Sequence, residues 1–226
     1  MGSYIPLEDA KSSIIRALSE YHPELGARAN AILNSERLNL IEEPYPKTKM
    51  MQCRPAGVDH QYLKDHNMII PDFADRFGPH FTDQTNTADK AIIDYEYVGT
   101  KHSVLYLAHE LGHAIADDIQ NESGHSFKDF SAWQAEEQAY FIQNIFLHFE
   151  GTHSPETEGL KKENSSELSM SWQRAAQFKN AHSEFSKTLA MAPDERMSTL
   201  INALGGNLET KDAVTPISTA QAKCTL

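Results

Sequence analysis

The chain has 226 residues and a formal net charge of −12 at pH 7; 40% of its residues are hydrophobic and 23% are charged. This length and composition predict one globular domain with a sizeable core. The acidic balance and the lack of a basic run argue against nucleic-acid partners, and no apolar run is long enough to span a bilayer.

The N-terminal residues and the two cysteines bear on cellular location and on disulfide formation. The start, Met1 to Pro6, lacks a basic region followed by an apolar stretch, so the sequence predicts a cytoplasmic location, although an unconventional export route would look the same. The two cysteines, Cys53 and Cys224, lie too far apart in the sequence to indicate a disulfide framework. Cys53 is interpreted as a small core residue.

The first hundred residues predict two helices and then short strands. Residues 6–20 and 23–38 carry apolar side chains at helical spacing, and a proline lies near the first turn of each. Residues 38–81 are rich in proline, glycine and isolated hydrophobic residues, which is typical of short strands and loops. Residues 91–98 contain β-branched and aromatic side chains that alternate, which indicates a strand. Residues 6–98 are therefore expected to form helices and a small sheet.

Four helices are predicted after this strand. Residues 103–119 give the strongest helical pattern, with Ser103 as the expected N-cap. Residues 130–149 predict a buried helix, and residues 167–191 and 193–204 predict two more.

The predicted elements describe a single domain over residues 1–205, mainly α-helical with a small β-sheet, in the α+β class. Residues 99–150 are expected to contain the metal-binding helices, and residues 151–205 the C-terminal helices after a polar loop. Residues 206–226 are small and polar and are expected to form a loose tail.

A His-Glu-x-x-His motif, His109-Glu110-Leu111-Gly112-His113, lies inside the strongest predicted helix. Residues four apart lie on one helical face, so both imidazoles can reach one ion. Glu110 lies roughly 100° around the helix axis, beside the ion, where it can take a proton from a zinc-activated water and pass one to a leaving amine. The motif therefore predicts one zinc ion and peptide-bond hydrolysis, although manganese, cobalt or nickel would suit the same ligands.

A catalytic zinc takes a third protein ligand, and the next predicted helix offers Glu136 and Glu137. Glu136 lies in the middle of a face that also carries Trp133, Tyr140, Gln143 and Leu147, where a carboxylate is costly unless it is paired or binds a metal. We favour Glu136 and keep Glu137 as the alternative. Asp117 and Asp118 follow the motif by one turn; either could orient an imidazole, but we interpret both as solvated residues.

The segment Leu105 to Ile115, with Ala135-Glu136 on the following helix, resembles the catalytic region of the thimet oligopeptidase and oligoendopeptidase F family of gluzincin metallopeptidases. The resemblance covers residues 6–150 and is strong only over residues 91–140. It implies a zincin-like core, in which the motif helix is followed by a second ligand-bearing helix.

The resemblance also implies roles for individual residues. His109, His113 and Glu136 would be the metal ligands, and Glu110 would be the base. Residues 92–97 would form a strand that pairs with the substrate backbone, and its first four members are Ile92, Ile93, Asp94 and Tyr95.

The chain departs from this family in length and near its C-terminus. Family members are far longer, so we expect a more open cleft that accepts a peptide or a protein. The family's C-terminal histidine- and tyrosine-bearing segment has no clear counterpart, and the candidates for stabilising the oxyanion are Tyr140, His148, His153 and His182.

Three other functions stay open. One is a bacterial effector protease that acts on a single host protein. Another is a non-catalytic metal-binding protein, although an intact Glu110 argues against it. The third is a deformylase-like hydrolase, which would need a cysteine ligand that Cys53 is poorly placed to supply.

Overall fold

The computed structural model describes residues 4–40, 51–65, 85–153 and 172–204. Within these residues lie seven α-helices and a three-stranded sheet, which confirms the mainly helical α+β class. The helices are α1 (Leu7–Tyr21), α2 (Pro23–Leu33), α3 (His60–Asp65), α4 (Lys101–Glu122), α5 (Ala132–His153), α6 (Trp172–Leu189) and α7 (Pro193–Leu204). The strands are β1 (Leu38–Leu40), β2 (Met51–Arg54) and β3 (Ile92–Tyr95).

Local sequence determines where the first two helices begin and end. Pro6 precedes α1, whose first turn carries Glu8 and Asp9, where carboxylates stabilise the positive end of the helix dipole. The His22 side chain accepts a hydrogen bond from the Glu24 backbone N–H and caps α2. The second helix ends at Leu33 rather than at residue 38, because the chain turns there and enters β1.

A capping box starts α4. The Thr100 hydroxyl accepts from the Ser103 backbone N–H at 3.1 Å, and the Ser103 hydroxyl accepts from the Thr100 backbone N–H at 2.9 Å. The N-cap is therefore Thr100, whereas the sequence predicted Ser103. Gly99, with φ of 70°, supplies the left-handed turn that leads into this cap.

The sheet places β3 between its two neighbours. β1 runs parallel to β3 and β2 runs antiparallel to it, with Leu38 and Cys53 both opposite Ile93. Ile93 and Tyr95 are fully buried, and the Tyr95 hydroxyl donates to the Ser103 carbonyl, so this face packs against α4.

The opposite face of the sheet carries a buried carboxylate. Asp94 is 2% exposed and accepts hydrogen bonds from Asn39, Gln52 and Arg54, the last through Nε at 2.6 Å and Nη2 at 3.0 Å. A buried charge needs such compensation, and its donors come from both neighbouring strands.

The helices α4 and α5 form the centre of the fold. They pack against each other; α5 also packs against α1 and α6, and the sheet packs against α4. Two buried glutamines join α7 to them: Gln120 donates to Gln138 at 2.9 Å, and Gln138 donates to the Leu204 carbonyl at 3.1 Å. No helix among the described residues has the length and apolar character needed to cross a membrane.

Several predicted segments fall partly or wholly outside the described residues. These include most of the predicted loop 151–167, the start of the predicted helix 167–191 and the predicted tail 206–226. The division into one domain and a tail stays a prediction. The helix over residues 193–204 is confirmed.

Candidate metal centre

Two histidines lie side by side in the middle of α4. His109 and His113 are one helical turn apart, and their ring centroids are 5.0 Å apart with the rings nearly perpendicular. Their side chains are only 10% and 17% exposed, because the helix lies between the sheet and α5. Both imidazoles therefore face one largely enclosed position.

Glu136 of α5 meets both rings. Its Oε2 is 3.4 Å from Nε2 of His109, and its Oε1 is 3.6 Å from Nε2 of His113. One ligand atom from each of the three residues lies within 4.8 Å of the other two, a group that could hold a metal ion. Two imidazoles and a carboxylate are a donor set that suits zinc and other divalent transition ions. The Glu136 side chain is 40% exposed, so the cluster opens to solvent on this side.

A glycine in the motif allows α5 to come this close. A Cβ placed on Gly112 would lie 2.8 Å from the Ala139 Cα and 2.9 Å from its carbonyl oxygen. These are backbone atoms of α5, which no side-chain rotation can move away. Gly112 therefore allows α4 and α5 to pack closely at the level of the helices where Glu136 reaches the two histidines.

The ring of His109 is held by two further residues of α5. Its Nδ1 lies 3.0 Å from Oε1 of Gln143, and both side chains are buried. Tyr140 packs against the same ring edge-to-face, with centroids 4.7 Å apart. Only Nε2 of His109 is thereby directed at Glu136.

Glu110 lies beside the cluster and under the edge of β2. Ile93 donates its N–H to the Arg37 carbonyl, on the β1 side of the sheet. Cys53, opposite Ile93 in the antiparallel pair, must then direct its backbone groups away from β3. The Cys53 backbone lowers the pKa of Glu110, which places this carboxylate near the outer edge of β2.

The ionisable groups perturb one another. Burial raises the pKa of Glu110 to about 7 and Glu136 adds to the shift, while His109 and the hydrogen bond from Cys53 oppose it. Burial also lowers the pKa of His113 to about 4, with His109 adding to the shift and Glu136 opposing it. For His109 burial again acts to lower the pKa, but Glu136 and Glu110 outweigh it and the pKa is raised. Metal ligands bind in their deprotonated form, so these shifts make binding of a cation here depend on pH.

Glu137, the alternative third ligand, lies on another side of α5. It accepts hydrogen bonds from Nε1 of Trp133 at 2.7 Å and from Nδ2 of Asn180 at 2.9 Å. The structure therefore brings Glu136, and not Glu137, to the two histidines.

The predicted substrate strand is placed differently from the expectation. Residues Ile92 to Tyr95 form β3, which pairs with β1 and β2 along its two edges. The backbone of Ile92, Ile93, Asp94 and Tyr95 is therefore used within the sheet. Sequence reasoning could not see this, because the partner strands lie about 40 to 55 residues upstream.

The two aspartates after the motif are not solvated, so that interpretation is wrong. Asp117 is 2% exposed and its Oδ2 accepts from the Ala56 N–H and from Asn121, both at 3.3 Å. Asp118 pairs with Arg37 at 2.7 Å. Both carboxylates attach α4 to neighbouring segments.

The structure describes the contacts of three of the four residues proposed as oxyanion donors. Tyr140 contacts His109, as described above. His182 is exposed, stacks on Phe178 and lies 3.2 Å from Asn144 through Nδ1, while His148 contacts Phe149 and Phe185. The side chain of His153 lies outside the described part of the structure.

Sequence reasoning missed the roles of Gln143 and of the Cys53 backbone. Gln143 occupies the same α5 face as Glu136, seven residues on, and this spacing was its only signal. The position of Cys53 depends on strand pairing and left no signal in the sequence.

No protein-family model matches the sequence, and no curated protein matches it either. Among solved structures, the chain is similar to the crystal structure of a putative peptidase from Chlamydophila abortus, with a TM-score of 0.53 and 12% sequence identity. The similarity covers 92% of this chain and 32% of that one, so the chain spans less than half of its length. At this identity the likeness shows a shared fold. Membership of the thimet oligopeptidase and oligoendopeptidase F family stays a prediction.

Proposed function

We propose that the protein is a zinc metalloendopeptidase in which His109, His113 and Glu136 hold one zinc ion and Glu110 acts as the general base. The observation that carries the proposal is the convergence of three ligand atoms from α4 and α5, with the Glu110 carboxylate beside them. The fold shared with a protein described as a putative peptidase supports the same reaction class.

The residues present suit this chemistry. Zinc held by them would supply Lewis-acid polarisation of a carbonyl group and would make water more acidic. Glu110 lies beside the proposed ligands, where its carboxylate can accept a proton and release it again. Glu110 would take the proton of the attacking water and then transfer it to the leaving amine.

The substrate is proposed to lie along the outer edge of β2 rather than along β3. Among the described residues β2 pairs only with β3, and the backbone groups of Cys53 point to the other edge, toward Glu110. An extended peptide that adds to this edge would place its backbone next to the base. Backbone pairing tolerates many side-chain sequences, so peptides and exposed protein loops both suit this edge.

Replacement of Glu110 by Gln tests this proposal. The variant removes the base but keeps the size of the side chain, so we expect one bound zinc and an unchanged melting temperature. Cleavage of a mixed peptide library, followed by mass spectrometry, should fall by about 10²- to 10⁴-fold. The matched control is Glu137→Gln, which makes the same change on the other side of α5 and should keep full activity.

Equal cleavage by the wild type and by Glu110→Gln would contradict the role of the base. A wild-type protein that binds zinc and cleaves no peptide would favour the non-catalytic metal-binding alternative.

A further inference from the structure

The contact between His109 and Gln143 is a buried, directed hydrogen bond between two helices. Nδ1 of His109 and Oε1 of Gln143 are 3.0 Å apart, and the two residues are 8% and 2% exposed. An amide oxygen can only accept, so Nδ1 of His109 carries the hydrogen. In the neutral ring Nε2 then keeps its lone pair, and this is the atom that faces Glu136 at 3.4 Å.

We propose that Gln143 is a positioning residue that fixes His109 in the Nδ1–H tautomer and so presents Nε2 to the metal. This inference rests on the proposed metal centre and adds to it the residue that prepares one ligand for binding. A neutral imidazole can carry its hydrogen on either nitrogen, and only one of the two tautomers leaves Nε2 free to bind.

The position of Gln143 on α5 makes this contact part of the same helix packing that supplies the third ligand. Glu136, Tyr140 and Gln143 are spaced by four and three residues, so they lie on one face of the helix. Tyr140 restricts the rotation of the His109 ring, and Gln143 selects its tautomer. When α5 packs against α4, it therefore supplies Glu136 and orients His109 in one step.

An amide side chain suits position 143 better than a carboxylate would. Glu110 and Glu136 already place two carboxylates beside the two imidazoles. A third carboxylate in this buried position would add repulsion and desolvation cost, whereas the Gln143 oxygen accepts the hydrogen bond without a charge.

Zinc affinity of the full-length protein gives the first test. Apoprotein of the wild type and of Gln143→Met is titrated with zinc against a chromogenic chelator. Methionine keeps the volume but loses the acceptor, and we expect affinity to fall by about 10- to 100-fold. Gln143→Glu restores an acceptor and should bind zinc more tightly than Gln143→Met.

The matched control is Gln138→Met. Gln138 is another buried amide of α5, and it bonds to Gln120 and to the Leu204 carbonyl instead of to the cluster. Its replacement should lower the melting temperature of the apoprotein about as much as Gln143→Met, yet leave zinc affinity unchanged. Equal zinc affinities in both methionine variants and the wild type would overturn the inference.

Nitrogen NMR of the apoprotein gives a second test that needs neither zinc nor activity. With 15N-labelled histidine at about pH 9, well above the ordinary imidazole pKa, the wild type should show His109 as the Nδ1–H tautomer. Gln143→Met should shift this residue toward the Nε2–H form, while Gln138→Met should not. An unchanged His109 tautomer in Gln143→Met would overturn the inference, even if the wild type bound no zinc and the proposed function had failed.

Discussion

Charged side chains are paired differently in the middle of α4 and at its C-terminal end. At its C-terminal end Asp118 pairs with Arg37 at 2.7 Å and Glu122 pairs with Arg28 at 2.7 Å, so each carboxylate meets a permanent cation. In its middle, carboxylates face the imidazoles of His109 and His113, whose charge depends on protonation. An arginine neutralises a carboxylate at every physiological pH, whereas an imidazole leaves the position open to a metal cation.

A carboxylate paired with an arginine also occurs in the sheet. Arg54 binds the buried Asp94 through two nitrogens, again without an imidazole. Two arrangements therefore coexist in one small fold: permanent ion pairs that hold segments together, and a histidine–carboxylate cluster with perturbed pKa values. Substitutions in each arrangement can show whether the first is structural and the second is a binding site.

The largest effect on stability is expected from Arg54→Met. The variant leaves the Asp94 carboxylate buried without its cation, which should lower the free energy of unfolding by about 3–5 kcal/mol. Urea denaturation checks this value. The double variant Arg54→Met with Asp94→Asn removes both charges and should recover part of the loss; a double variant as unstable as the single one would show that the ion pair itself is not what matters.

Gly112→Ala should have the next largest effect. Alanine usually stabilises a helix by about 0.5–1 kcal/mol relative to glycine, but here its Cβ would overlap the Ala139 backbone. We expect a net loss of about 1–3 kcal/mol, together with weaker zinc binding as Glu136 moves away. Ser12→Ala, at an exposed position of α1, is the control and should cost little. A stabilised Gly112→Ala protein would contradict the close packing of the two helices.

The smallest effect concerns Asp117, which lies between the two histidines in the middle of α4 and the ion pairs at its C-terminal end. Burial raises its pKa from 3.8 to about 6, so the folded state binds this proton more tightly than the unfolded chain does. Its contribution to stability is therefore greatest at low pH and is lost as the pH rises from about 4 to about 6.

Asp117→Asn imitates the protonated form and removes this pH dependence. Between pH 4 and pH 6.5 the stability of the variant should rise relative to the wild type by about 1–2 kcal/mol, as measured by urea denaturation at each pH. A difference that is constant over this range would contradict the raised pKa.

Local patterns in the sequence predicted the helices and three of the site residues. The spacing of His109 and His113 is a property of one helix, and Glu136 followed from the apolar face of the next one. The position of β3 in the centre of the sheet and the contact of Gln143 depend on packing between distant segments. No periodicity within one element encodes them, and for this reason the sequence could not predict that β3 pairs with a strand on both of its edges.

The most direct test of the central claim is zinc binding by three forms of the purified protein: wild type, Glu136→Ala and Glu137→Ala. Zinc content is measured by elemental analysis, and affinity by chelator competition. We predict one zinc per wild-type chain, a loss of affinity of at least about 100-fold in Glu136→Ala, and no change in Glu137→Ala. A wild type that binds no zinc, or equal losses in both variants, would contradict a metal centre built from His109, His113 and Glu136.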